Sequence, residues 1–156
     1  MLNWLKAIFG APTPSGPPET IRSFRPSDAT LSQGSIAAAP DGWIIDAAED
    51  QTIRLFEVHE PQAEQCLITY RAMIKTDGLA GRAFLEMWCR VPGLGEFFSK
   101  GLNQAIKGTT DWSSQEIPFY LKKGQRPDLI KLNVVIEGRG KVWIKDIQLL
   151  KTPLSS

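Results

Sequence analysis

Between Arg82 and Val91 the chain reads RAFLEMWCRV, and its apolar core candidates fall on every second position. Ala83, Leu85, Met87, Cys89 and Val91 point one way. Phe84, Glu86, Trp88 and Arg90 point the other. Period two is the mark of a β-strand, whose successive side chains leave opposite faces. Because all the odd positions are apolar, that side is the core. The even side mixes aromatic and charged groups, which an ordinary solvent face does not.

The same period recurs from Trp43 to the C-terminus. GWIIDA follows Asp41-Gly42 as a first strand, and TIRLFEV (52–58) is the next, ended by Pro61. In CLITYRAMIK (66–75), Cys66, Ile68, Tyr70, Ala72 and Ile74 share one face. Asp77-Gly78 and Gly81 read as a turn before the Arg82–Val91 strand. Residues 92–102 read as a long glycine-containing loop with a short edge strand after it. Gly108–Asp111 reads as another turn. Gln115–Leu121 follows, where Pro118 predicts an edge strand or bulge. Leu129–Glu137 buries Ile130, Leu132, Val134 and Ile136 and leaves Lys131, Asn133, Val135 and Glu137 outside. Gly138-Arg139-Gly140 is a tight connection. The last strand, Lys141–Leu150, carries Val142 and Ile144, a bulge at Asp146, then Ile147 and Leu149.

About eight short strands with no long helical pattern predict an all-β fold, a two-sheet antiparallel jelly-roll sandwich with a short N-terminal helix or tail. The 156 residues suffice for one domain with a real core. The predicted division is 1–20 and 21–156. Residues 1–10 (MLNWLKAIFG) read as a short terminal helix, or as a small anchor inserting Trp4, Leu5, Ile8 and Phe9 into a membrane surface or partner groove. Residues 11–20 hold four prolines and read as an extended linker.

Composition excludes several classes. Hydrophobic residues make up 42% and charged residues 22%, as in a globular protein. Formal net charge is +1, so no overall field attracts nucleic acid. No stretch matches a membrane span or a signal peptide, and the expected location is cytoplasmic. Cys66 and Cys89 read as buried free thiols. His59, a lone histidine at a strand end, cannot build a multi-histidine metal site. Gly93-Leu94-Gly95 lacks the third glycine and the helix of a dinucleotide site. No serine shows a nucleophile context, and Glu86 has no evident second acid for glycoside hydrolysis. No catalytic residue, metal or cofactor is therefore expected, and the chain is expected not to be an enzyme.

The C-terminal half carries a more specific pattern. Trp112-Ser113-Ser114-Gln115-Glu116-Ile117-Pro118-Phe119 precedes Lys123-Gly124. Leu132 to Gly138 (LNVVIEG) follows, then Gly140 to Ile147 (GKVWIKDI). With Tyr70 to Lys75 (YRAMIK), these segments resemble the strands of galactose-binding-like jelly-roll domains, above all carbohydrate-binding modules of the CenC type. The resemblance spans roughly residues 43–150. It departs at Lys145, which stands where the family has an acidic residue. It implies a β-sandwich that binds sugar without catalysis, and it implies a structural calcium near Asp146 in many members. No convincing set of oxygen ligands accompanies Asp146 in this sequence.

Sugar recognition needs an aromatic platform for CH–π stacking and nearby groups for the hydroxyls. Trp88, flanked by Glu86 and Arg90, meets that need on one strand. Lys131 and Asn133 join it if their strand is adjacent, and Arg71 joins it if its strand lies in the same sheet. The rival reading covers Trp88 with the 92–102 loop and makes Glu86 and Arg90 a surface ion pair. Trp112 and Trp143 are expected to pack at strand ends. The expected function is a non-catalytic binding module for carbohydrate. The alternative is a protein-interaction or scaffold domain tethered through its N-terminal segment.

Overall fold

The computed structural model describes residues 13–155. The reading of residues 1–10 as a helix or anchor lies outside the described residues. Ten strands follow in order: β1 Thr13–Pro14, β2 Glu19–Ser23, β3 Ile36–Ala38, β4 Gly42–Ala47, β5 Gln51–His59, β6 Cys66–Val91, β7 Gly95–Lys100, β8 Ile106–Tyr120, β9 Leu129–Ile136 and β10 Gly140–Ser155. Among the described residues the one helical element is a 3-10 turn at Leu102–Gln104.

The two strands expected at 66–75 and 82–91 are one strand of 26 residues. At ~3.3 Å per residue a straight strand of that length would reach about 85 Å. A domain of this size has a radius of gyration near ~15 Å, so the strand has to bend. The bend falls at Asp77–Gly81, where the expected turn residues lie. It shows in the core: the even positions from Cys66 to Ile74 join the core cluster, whereas Ala83, Leu85, Met87 and Cys89, all odd, join it after the bend, with Phe84 and Glu86 buried outside that cluster. Glycine permits the crossing. A Cβ on Gly81 would collide with the main-chain carbonyl of Glu137, and Gly138, at φ 86°, leans on Gly81 from the β9–β10 turn.

The bent strand serves both layers of the sandwich. Its first half pairs with β10 and β8, and β10 also pairs with β4 and β2. Its second half pairs with β9 and β7, and β9 pairs with β5. All these pairings are antiparallel. Layer one is therefore β3-β4-β10-β6-β8, and layer two is β5-β9-β6-β7. Between them lies one apolar core in which Tyr70, Ile45, Leu85, Met87, Leu132 and Ile144 are fully buried.

Other boundaries moved for related reasons. β8 begins at Ile106, so Gly108–Asp111 is a kink inside a strand, with register shifts against β6, rather than a turn. Pro118 sits where β8 pairs with β6 alone, as an edge position allows. The 92–102 segment contains β7 instead of preceding an edge strand. Asp146 does form the bulge of β10, at φ 54°. The register against β6 shifts between Lys145 and Gln148, and burial passes from Val142 and Ile144 to Ile147 and Leu149. Part of the proline-rich stretch lies against β10, with Thr13–Pro14 opposite Ser155–Leu154. Cys66 and Cys89 are buried free thiols. Burial raises both thiol pKa values, that of Cys89 up to about 12.

Candidate functional site

The outward face of layer two is built by register. Trp88 lies opposite Phe98 of β7 on one side and Lys131 of β9 on the other. Glu86 lies opposite Lys100 and Asn133 in the same way. Glu57 of β5 lies next to Lys131, and Arg90 lies opposite Glu96. Two rows of side chains thus cross the sheet, as antiparallel pairing requires of residues of one parity.

Glu86 anchors the first row. It is 7% exposed, as is Asn133. The Asn133 amide donates to Glu86 Oε1 at 2.9 Å, and Lys100 Nζ lies 3.6 Å from Oε2. A carboxylate can be sequestered in this way because both oxygens have partners. Asn133 was expected outside, and its amide is instead held in this buried pair. From the core side, the Tyr70 hydroxyl donates to the Asn133 main-chain carbonyl at 3.1 Å. Burial pushes the Tyr70 pKa far above its ordinary value, and the Glu86 carboxylate adds to the shift.

The second row is aromatic and ionic. Trp88 is half-buried and packs against Phe98, with ring centroids 5.3 Å apart and planes tilted by 54°. Lys131 Nζ reaches Glu96 Oε1 at 3.1 Å. Arg90 is not paired with Glu86. It makes a forked contact with Asp128, with Nε to Oδ1 at 2.9 Å and a second nitrogen to Oδ2 at 3.2 Å. That bond holds the Asp128 carboxyl below its ordinary pKa.

Five of the six expected residues, Glu86, Trp88, Arg90, Lys131 and Asn133, therefore share one face. Arg71 does not join them. It lies in the first half of β6, on the outer side of layer one, bonded to Gln148 at 3.0 Å and facing Glu116 at 3.7 Å. The bend of β6 carries the two halves into different layers, which parity alone could not reveal. The sequence reading of 92–102 as loop omits Glu96, Phe98 and Lys100, which β7 brings onto this face. Their own alternation, with Glu96, Phe98 and Lys100 on one side, was the available signal.

Arg71 belongs to a second surface. Lys75 Nζ lies 4.8 Å from the Trp143 ring centre and 5.4 Å from that of Trp112, and Lys145 Nζ lies 4.2 Å from that of Trp112. Both tryptophans sit within strands, under ammonium groups. Beside them a groove of about 390 Å³ is lined by Arg71, Met73, Ser114, Asp146 and Gln148. Among the described residues no cluster of three or more His, Cys, Asp or Glu could hold a metal ion.

A bent central strand shared by two antiparallel layers defines an all-β sandwich of the jelly-roll kind. Solved structures share this fold. The chain is similar to the CBM22-1 xylan-binding domain from Paenibacillus barcinonensis Xyn10C, at TM-score 0.60 and 9% identity, over 90% of this chain and 99% of that one. It is similar to a family 29 carbohydrate-binding module from Piromyces equi, at TM-score 0.50 and 11% identity, over 87% and 90% of the two chains. It is also similar to the structure of infectious bursal disease virus Gx strain, at TM-score 0.54 and 12% identity, over 90% of this chain and 33% of that one. Such low identities show a shared fold, and a fold hosts many functions. No family model matches the sequence. No curated protein matches it.

Proposed function

We propose that this domain is a non-catalytic binding module for carbohydrate, with its ligand on the outer face of layer two. The observation that carries the proposal is the Trp88 row. Among the described residues Trp88 has no ammonium over its ring, unlike Trp112 and Trp143, and polar groups flank it across the sheet. A sugar ring stacks its C–H face on an indole, and its hydroxyls turn to Lys131, Glu96 and Arg90 at the periphery. The buried Glu86–Asn133 pair holds the floor in place.

Catalysis is not part of the proposal. Glycoside hydrolysis needs one protonated and one ionised carboxyl group set across the bond. Glu86 is engaged by Asn133 and Lys100, and Glu96 by Lys131. The two free thiols fit the reducing cytoplasm, which the proposal takes as the protein's location.

The test is calorimetric titration with xylo-oligosaccharides, alongside a glycan array, on the wild type, Trp88→Ala and Lys131→Ala. Millimolar or tighter binding that falls at least about tenfold in Trp88→Ala, with the fold intact by circular dichroism, supports the reading. Absence of binding to every glycan at millimolar concentration overturns it.

A further inference from the structure

Residues 94–102 read Leu-Gly-Glu-Phe-Phe-Ser-Lys-Gly-Leu. Around Phe98 three of the four flanking pairs match in chemistry: Leu94 mirrors Leu102, Gly95 mirrors Gly101, and Glu96 mirrors Lys100 with opposite charge, whereas Phe97 and Ser99, on the other face, differ. The same stretch holds four of the five large hydrophobic side chains exposed among the described residues. These are Leu94, Phe97, Phe98 and Leu102, at 39–59% exposure.

β7 is also an edge. Its strand partner among the described residues is β6 alone. The Gly101 N–H donates to the Leu85 carbonyl at 2.9 Å, and Leu94 N–H donates to Val91 at the opposite end. In antiparallel pairing, residues alternate between those that bond the partner and those that do not. The odd residues Phe97 and Ser99 thus bond to β6. The main-chain N–H and C=O groups of Glu96, Phe98 and Lys100 point to the open side. The edge carries neither a proline nor a bulge, and its two charged residues, Glu96 and Lys100, are of opposite sign, so they do not repel a second copy laid antiparallel.

We propose that β7 pairs with β7 of a second copy of this chain, antiparallel about a two-fold axis through Phe98. A two-fold contact must be self-complementary, and this register is. It sets Phe98 against Phe98 of the second copy. It sets Glu96 against Lys100 of the second copy, twice by symmetry, on the side where Phe98 points. Leu94 and Leu102 come next in the same register, beyond each end of the strand. Layer two of one copy then continues into layer two of the other. The pairing rests on the main-chain groups of the strand edge and not on the sugar reading, although Glu96 belongs to both, and it leaves the Trp88 rows on the outer face.

The test is sedimentation velocity from micromolar to millimolar concentration on the wild type, Glu96→Lys and Lys100→Glu, and on a 1:1 mixture of the two variants. Each variant alone faces like charges across the axis and self-associates at least about tenfold more weakly than the wild type. In the mixture, the ammonium introduced at 96 meets the carboxylate introduced at 100, and native Glu96 meets native Lys100, so a mixed dimer forms. That rescue separates lost pairing from lost folding, and circular dichroism first verifies that Lys100→Glu, which also removes the ammonium facing Glu86, is folded. A second readout needs no variant: in the wild type, amide exchange at Glu96, Phe98 and Lys100 slows as concentration rises, while exchange at Gly93 does not. A wild type that stays monomeric at millimolar concentration overturns the proposal. Variants that dimerise undiminished, a mixture that fails to associate, or edge amides insensitive to concentration do the same.

Discussion

The hydroxyl of Tyr70, a residue of layer one, crosses the core to donate to the main-chain carbonyl of Asn133 in layer two, at 3.1 Å. Tyr70 is fully buried, and Asn133 is the residue whose side chain holds Glu86 on the outer face. One residue of β9 therefore links the core bridge to the candidate ligand face. The two layers are joined by a polar contact as well as by apolar packing.

Tyr70→Phe keeps the ring and removes the bridge. A buried hydrogen bond with one partner deleted costs about 1–2 kcal/mol. Urea denaturation should show that loss in the midpoint with little change in slope, because the surface exposed on unfolding is nearly the same.

Glu86 is expected to behave asymmetrically. Glu86→Gln retains an acceptor for the Asn133 amide, although it loses the charge facing Lys100. Glu86→Ala leaves the amide buried and unpartnered, a loss of about 1–3 kcal/mol. The ordering wild type, then Gln, then Ala in thermal melts checks this. Equal melting of the two variants would show that the Asn133 bond contributes nothing.

The Arg90–Asp128 fork predicts a pH dependence with a definite sign. The Asp128 pKa is depressed in the folded state, chiefly by the hydrogen bond from Arg90. Its stabilising contribution is present above the unfolded carboxyl value, near ~3.9, and is lost as pH falls through the lower folded value. A carboxyl-carbon NMR titration should place the Asp128 midpoint below that of a free aspartate. Arg90→Ala should return it upward.

Gly81→Ala tests the bend of β6. The new Cβ would strike the Glu137 carbonyl, a backbone atom that no rotamer change can move aside. Overpacking of this kind costs roughly 1–3 kcal/mol. Ala80→Gly, one residue earlier at an exposed position, serves as the control and should change stability by less than about 1 kcal/mol.

Much of the strand content was legible from alternation. Gly42–Ala47, Gln51–His59 and Leu129–Ile136 lie where the period of two put them, and the bulge at Asp146 was readable as a change of parity within one strand. β7 was harder, because Phe97 and Phe98 are adjacent and break the apolar alternation of a half-buried strand. Phe97 turns toward Phe119 of β8, with ring centroids 6.3 Å apart, while Phe98 turns toward Trp88.

Local spacing alone determined which residues share a face of a strand, because the pleat is a property of the backbone. It therefore brought Glu86, Trp88 and Arg90 together, and it separated them from the core. Which strands lie side by side, and which layer each half of β6 enters, depended on contacts distant in sequence. Those contacts decided that Asn133 is buried against Glu86, that Arg90 turns to Asp128, and that Arg71 stands on the far side of the molecule. Side-chain direction is local chemistry. Partnership across a sheet is set by the close packing of the whole core, which no window of neighbouring residues contains.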